Sequence, residues 1–399
     1  MLDNIGYGTI MKKIDSLTSL RFFAALCVAL GHTKGGFAAT AWMPWFPYGY
    51  GVICFFVLSG FILSYVYPDF RAMHDVKAFY VARIARIWPL HLVTFAIFLL
   101  LTPSAQWFIT QATDHRLRVT IANLFLVQAW IPKYGYMLSF NPVSYTLSME
   151  LFFYIMFPFL FYKWRSTWHW KTLLVLIFSA SILTIATARG VPNYTYDHSM
   201  TVSAFGLGAA SPFVGIVNFM LGMLGASIFK WLNSKKLPDG IVLWTIIEVA
   251  ALYSLFVLHR FGDFPSRAVG HVLTGSPWLY FSDSAISAPS FMVIIIVIGL
   301  NRGAISKMLT TKPLILLGET SFALYLIHLL FFMWLTANRA SLTEIPDWVQ
   351  CFSYWTACFA SAFALWALVE KPCRIKLKEW ILTPKRKRDT SFSAIKTVA

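Results

Sequence analysis

The chain has 399 residues, 58% of them hydrophobic and 13% charged, with a formal net charge of +16 and a mean hydropathy of +0.64. Soluble domains carry about 45–50% apolar and about 25% charged residues, so a soluble globular protein is excluded and an all-α integral membrane protein is the expected fold class. In a soluble chain the positive charge would suit nucleic acid; here its placement along the spans explains it, and no nucleic-acid partner is expected.

Taking about 20 apolar residues as one crossing, the sequence predicts about ten transmembrane helices, roughly 18–35, 49–67, 84–102, 145–163, 171–188, 210–230, 240–259, 284–300, 314–336 and 349–369. An even count puts both ends on one side. Most of the 33 Lys and Arg residues also fall there, among them Lys12, Lys13, Arg83, Arg86, Lys235, Lys236 and the run Lys385-Arg-Lys-Arg388. By the positive-inside rule both termini are therefore expected to be cytoplasmic. The first twenty residues lack the order of a cleavable signal, so span 1 reads as retained, with Met1 or Met11 as the start.

The connection 103–144 falls on the outer side. Its apolar stretch 119–130 is too short to cross and reads as a re-entrant or interfacial helix able to roof a cavity. Outer loops 189–209 and 260–283 bring Tyr194, Tyr196, His198, Arg267, His271 and Trp278, a mixture suited to a sugar and equally ordinary for outer loops. No fixed-period repeat is present, and the five Cys show neither paired nor metal-ligand spacing. One membrane domain, 13–373, followed by a basic tail, 376–399, is the simplest organisation.

Ionisable groups inside apolar spans are costly and are candidate site residues for that reason. Arg21 and His32 on span 1 are eleven residues apart, about 1100° of helix, which puts them within roughly 20° on one face and roughly 16 Å apart in depth. An Arg and a His anchored at opposite interfaces is the competing reading. Glu150 on span 4 falls in the same outer half as His32. There a carboxylate would fix the imidazole tautomer and raise its basicity, unless the two form only a structural clamp. Arg83 and Arg86, at i and i+3, present two guanidinium forks suited to phosphate or serve as cytoplasmic anchors. Ser59 precedes Gly60, where helices can approach closely or a slender ligand can pass. Ser148, Tyr154, Glu319, Tyr325 and His328 are possible cavity-lining groups, and Glu248 is a further buried acid. No metal site is expected.

Six motifs stand in order along the chain: Ile14-Asp-Ser-Leu-Thr-Ser-Leu-Arg21 leading to His32; Phe55-Phe56-Val57-Leu58-Ser59-Gly60-Phe61; Arg83-x-x-Arg86; Ser144-Tyr-Thr-Leu-Ser-Met-Glu150-Leu-Phe-Phe-Tyr154; Ser321-Phe-Ala-Leu-Tyr325-Leu-Ile-His328; and Glu370-Lys-Pro372. In this order they resemble the acyltransferase-3 family of membrane O-acyltransferases, which includes bacterial polysaccharide and O-antigen acetylases. The resemblance covers about residues 13–373. It implies transfer of an acyl group, most often acetyl, from cytoplasmic acyl-coenzyme A to a hydroxyl of a carbohydrate or lipid-linked glycan, in the bacterial inner membrane. It implies no permanently bound cofactor, acyl-coenzyme A being a substrate. In that reading Arg83 and Arg86 hold the donor's phosphates and its pantetheine arm runs along spans 1 to 3, past Ser59. His32 then acts as base or covalent carrier, oriented by Glu150, and Arg21 pairs with the donor or a carboxylate. A proton-coupled secondary transporter is the alternative, since intramembrane Arg, His and Glu serve both classes; matching broken helices in two halves would favour it, and none is evident. Oligomeric state is not legible.

Overall fold

Each of the ten expected apolar stretches lies on a long helix of the computed structural model, which describes residues 13–41, 49–67, 70, 73–109, 115–193, 199–273 and 276–382. The helices are α1 (Asp15–His32), α2 (Tyr50–Val66), α3 (Met73–Leu101), α4 (Tyr145–Phe161), α5 (Trp164–Ala188), α6 (Pro212–Asn233), α7 (Ile241–Leu273), α8 (Pro277–Leu300), α9 (Lys312–Ala337) and α10 (Asp347–Leu365). A π-helical turn, Trp366–Glu370, joins α10 to α11 (Lys371–Leu382). Among the described residues eight helices are long and apolar enough to cross a membrane; α2 is apolar but only 17 residues long, and α1 carries Asp15 and Arg21. Both ends of the chain, including Met11 and Lys385 to Arg388, lie outside the described residues.

Four helices extend past their apolar stretches. α3 starts at Met73 rather than near 84, α5 starts at Trp164 rather than near 171, α7 runs on to Leu273, and α8 starts at Pro277. Apolarity marks what a bilayer accepts, whereas a helix continues while its backbone bonds remain satisfied. Arg83 and Arg86 consequently lie well inside α3 rather than at its start. Residues 260–273, expected as loop, are helical; the Arg267 and His271 side chains, and Tyr194, Tyr196 and His198, lie outside what is described.

α2 packs most extensively against α6, and α1 lies along α9. At the α2–α6 crossing a Cβ on Gly60 would collide with the Phe219 carbonyl, and one on Gly222 with the Val57 carbonyl. Gly60 thus serves the close approach of two backbones, the glycine-mediated packing that membrane helices use in place of a hydrophobic driving force.

The connection between α3 and α4 folds back into the bundle. It contains the short helix Arg116–Leu124 and the turns Gln128–Trp130, Tyr134–Met137 and Pro142–Ser144. Three of its polar groups bond to the bundle: Asn141 Nδ2 donates to the Leu326 carbonyl at 3.0 Å, the Ala129 N–H to Ser148 Oγ at 3.1 Å, and Trp130 Nε1 to the Ser148 carbonyl at 3.1 Å. This element, expected as re-entrant or interfacial, fills one end of the bundle, so α4 begins below that end rather than at it. Glu248 is structural: its carboxylate accepts the backbone N–H groups of Gly303, Ile305 and Ser306 at 3.1, 2.9 and 3.3 Å, capping the start of the helix Ala304–Met308.

Candidate functional site

Between α1, α2, α3, α4 and α9 lies a cavity of about 130 Å³, bordered at one end by the turn into α11. Helix periodicity selects what faces it. Thr18 and Arg21 come from α1, Phe55, Phe56 and Ser59 from α2, and Thr146, Leu147 and Glu150 from α4. Arg86 reaches it from α3, Glu319 and Tyr325 from α9, and Glu370 and Arg374 from the final turn. Four cations, Lys13, Arg21, Arg86 and Arg374, therefore share it with three carboxylates, Glu150, Glu319 and Glu370.

The carboxylates are engaged locally. Glu150 Oε1 accepts the Ser59 hydroxyl at 3.1 Å and the Tyr154 hydroxyl. Glu319 pairs with Lys13 at 2.9 Å across the N-terminal ends of α9 and α1. Glu370, 3% exposed, meets Arg374 at 3.4 Å through one oxygen, while its other oxygen has no hydrogen-bond partner. Arg21 and Arg86 differ from these groups. Among the described residues neither makes a hydrogen bond or ion pair, although both lie within the field of Glu150. Two guanidiniums thus face the cavity with their donors unspent.

At the other end Tyr325 closes the cavity, its hydroxyl 2.9 Å from Thr146 Oγ1. One turn further along α9, His328 is fully buried, with its ring 5.9 Å from that of Tyr325. His32, exposed at the end of α1, brings Nδ1 to 3.1 Å from His328 Nε2.

Of the residues expected from sequence, Arg21, Ser59, Arg86, Glu150, Glu319 and Tyr325 converge on this cavity, and His32 with His328 lies just beyond it. Three expectations are corrected. His32 pairs with His328, not with Glu150; the Tyr325–Thr146 contact puts His328 one turn above that level and Glu150 one turn below, roughly 10 Å apart at 1.5 Å per residue. The reason is the folded-back connection that lowers the start of α4. Arg83 does not line the cavity, because its guanidinium is wrapped by the rings of Tyr67, Phe79 and Tyr154 at 5.6, 5.9 and 5.8 Å and donates to Tyr67 Oη at 3.3 Å. Ser148 is a packing group that receives the Ala129 N–H, and Tyr154 acts on the cavity only through Glu150. Sequence reasoning missed Lys13, Glu370 and Arg374. The signal for the last two was present in Glu370-Lys-Pro372 with a basic residue four positions after the Glu.

An arginine-lined cavity between membrane helices, with a histidine pair beyond its far end, accords with the motif order. The pattern of an acyltransferase domain, that of the acyltransferase-3 family, matches residues 14–371. The chain belongs to the acyltransferase-3 family. It is 28% identical over 341 residues to the acyltransferase MdmB of Streptomyces mycarofaciens, covering 79% of this chain and 78% of that one. It is 23% identical over 397 residues to the O-acetyltransferase OatA of Staphylococcus aureus, covering 94% of this chain and 60% of OatA. No solved structure matches. As a member of this family the protein is an acyltransferase, built on membrane-spanning helices.

Proposed function

We propose that this membrane acyltransferase carries an acetyl group from acetyl-coenzyme A to a hydroxyl of a cell-surface carbohydrate or lipid-linked glycan, in the inner membrane of a bacterium. The observation that carries the reading is the pair of unspent guanidiniums, Arg21 and Arg86, in a cavity leading toward an exposed histidine. A guanidinium held between membrane helices without a protein partner is costly, and an oxyanion ligand supplies the missing acceptors bidentately. In this reading all ten long helices cross the membrane with both termini in the cytoplasm. The cavity end at Lys13, Glu319 and Arg374 then faces the cytoplasm, and His32 faces outward.

Arg86, with Lys13 and Arg374, holds the donor's phosphate end, and the slender pantetheine arm passes Arg21 and Ser59 toward Tyr325. His32 takes the acceptor's hydroxyl proton as the hydroxyl oxygen adds to the thioester carbonyl. The carbon–sulfur bond then breaks, a carbon–oxygen bond remains, and the imidazolium returns the proton to the departing thiolate. Glu150 balances Arg21 and Arg86 and does not orient the base. The name of OatA, an O-acetyltransferase, supports both the acetyl group and the hydroxyl acceptor.

The test is mass spectrometry of surface polysaccharide and lipid from the host with and without the gene. Loss of a fixed acyl mass that returns on complementation is the expected result, and unchanged glycans and lipids would overturn the reading.

A further inference from the structure

The carbonyl of Leu324 fixes the direction of protons through the two imidazoles. It lies 3.2 Å from His328 Nδ1, and a carbonyl only accepts, so Nδ1 of His328 carries the proton. His328 is fully buried, and among the described residues no carboxylate is hydrogen-bonded or ion-paired to either imidazole. A cation there would be uncompensated, so His328 is neutral and its Nε2 is a bare acceptor. The atom facing that acceptor at 3.1 Å is His32 Nδ1, which must therefore be the donor. Nothing then remains for His32 Nε2 except a lone pair, on an exposed ring.

We propose that His328 is the positioning residue of this site: through the relay Leu324 carbonyl, His328, His32 it holds His32 in the tautomer whose Nε2 is free to accept a proton from the acceptor hydroxyl. The proposal rests on reading His32 as the base. In many enzymes a carboxylate sets the tautomer of a catalytic histidine; here a neutral histidine anchored to a backbone carbonyl does so without bringing a negative charge into the membrane. The α9 backbone is itself pinned at this point, because the Tyr354 hydroxyl of α10 donates to the His328 carbonyl at 3.1 Å. The titratable groups facing the pair are the two imidazoles themselves, Tyr325 of α9 and Tyr354 of α10.

Two readouts test this on the full chain in nanodiscs. In protein labelled with 15N-histidine, with the His32 signals assigned through His32→Asn, the nitrogen shifts should report a protonated Nδ1 and a bare Nε2 at neutral pH. A bare Nδ1 in the native chain would overturn the proposal without recourse to any further variant. In acetyl transfer from acetyl-coenzyme A to the host's envelope fraction, His328→Leu should lower kcat about 30-fold to 100-fold with the donor KM within about twofold. It should also mix the two His32 tautomers and move the acidic limb of the pH–rate profile. His328→Gln, whose side-chain oxygen reaches the place of Nε2 and accepts, should recover most of the rate. A leucine variant with native rate and native His32 shifts would overturn the proposal, as would a glutamine variant as slow as leucine with unaltered shifts in both. Absence of transfer by the native chain would refute the proposed function instead, leaving the nitrogen shifts to decide the tautomer.

Discussion

Removing Glu150 in two ways separates its hydrogen bonds from its charge. Glu150→Ala deprives the hydroxyls of Ser59 and Tyr154 of their shared acceptor. A hydrogen bond to a charged group contributes about 1.5–3 kcal/mol, but only where water cannot replace it. Ser59 borders the cavity, so its loss is largely made good by water. Tyr154 is 2% exposed and its hydroxyl has no substitute. The alanine variant should therefore lose about 2–3 kcal/mol, nearly all of it at Tyr154. Glu150→Gln retains an acceptor oxygen and loses only the charge beside Arg21 and Arg86; next to a wet cavity that should cost about 1 kcal/mol. Titration with sodium dodecyl sulfate in mixed micelles ranks the three proteins. Calorimetry with acetyl-coenzyme A supplies the second measurement. With one carboxylate fewer in the cavity, the glutamine variant should bind the anionic donor as well as native or up to about threefold more tightly. Equal stability of all three proteins, or a tenfold loss of donor affinity in the glutamine variant, would refute the network as described.

Arg86→Ala should weaken acetyl-coenzyme A binding at least tenfold, roughly 1.4 kcal/mol, by calorimetry. Arg83→Ala should leave that affinity within about twofold and instead lower stability by about 1 kcal/mol through lost ring contacts. Gly60→Val should destabilise by about 1–3 kcal/mol or more, since the added carbons meet the Phe219 backbone and not a movable side chain; detergent titration reads this directly. Glu248→Ala leaves three backbone N–H groups uncapped and should cost about 2 kcal/mol without changing donor affinity.

How much of this was legible in the sequence depended on whether the inference stayed on one helix. Arg21 and His32 fall on one face because eleven residues return close to whole turns, and that face does look onto the cavity and its end. Arg86, Ser59, Glu150 and Tyr325 were found because an ionisable or polar residue in an apolar stretch must face protein or water. Relations between helices were harder. The expected meeting of His32 with Glu150 assumed that α4 starts at the membrane boundary, whereas the folded-back connection after α3 lowers it. The His32–His328 contact depends on α1 and α9 running side by side, which no spacing announces. Arg83 and Arg86 looked equivalent at i and i+3, yet the aromatic residues enclosing one of them come from three separate segments, at Tyr67, Phe79 and Tyr154. Lys13 and Arg374 read as ordinary cytoplasmic anchors, since the positive-inside rule explains a basic residue at a helix end before any site does.

The central claim is that the cavity binds the donor while His32, beyond its far end, performs the proton transfer. The most direct measurement is acetyl transfer by purified His32→Ala, alongside its affinity for acetyl-coenzyme A. The account predicts native donor affinity with transfer lowered by at least about 10²-fold, the range in which a positioned general base contributes. A well-folded His32→Ala protein that transfers acetyl at the native rate would contradict it.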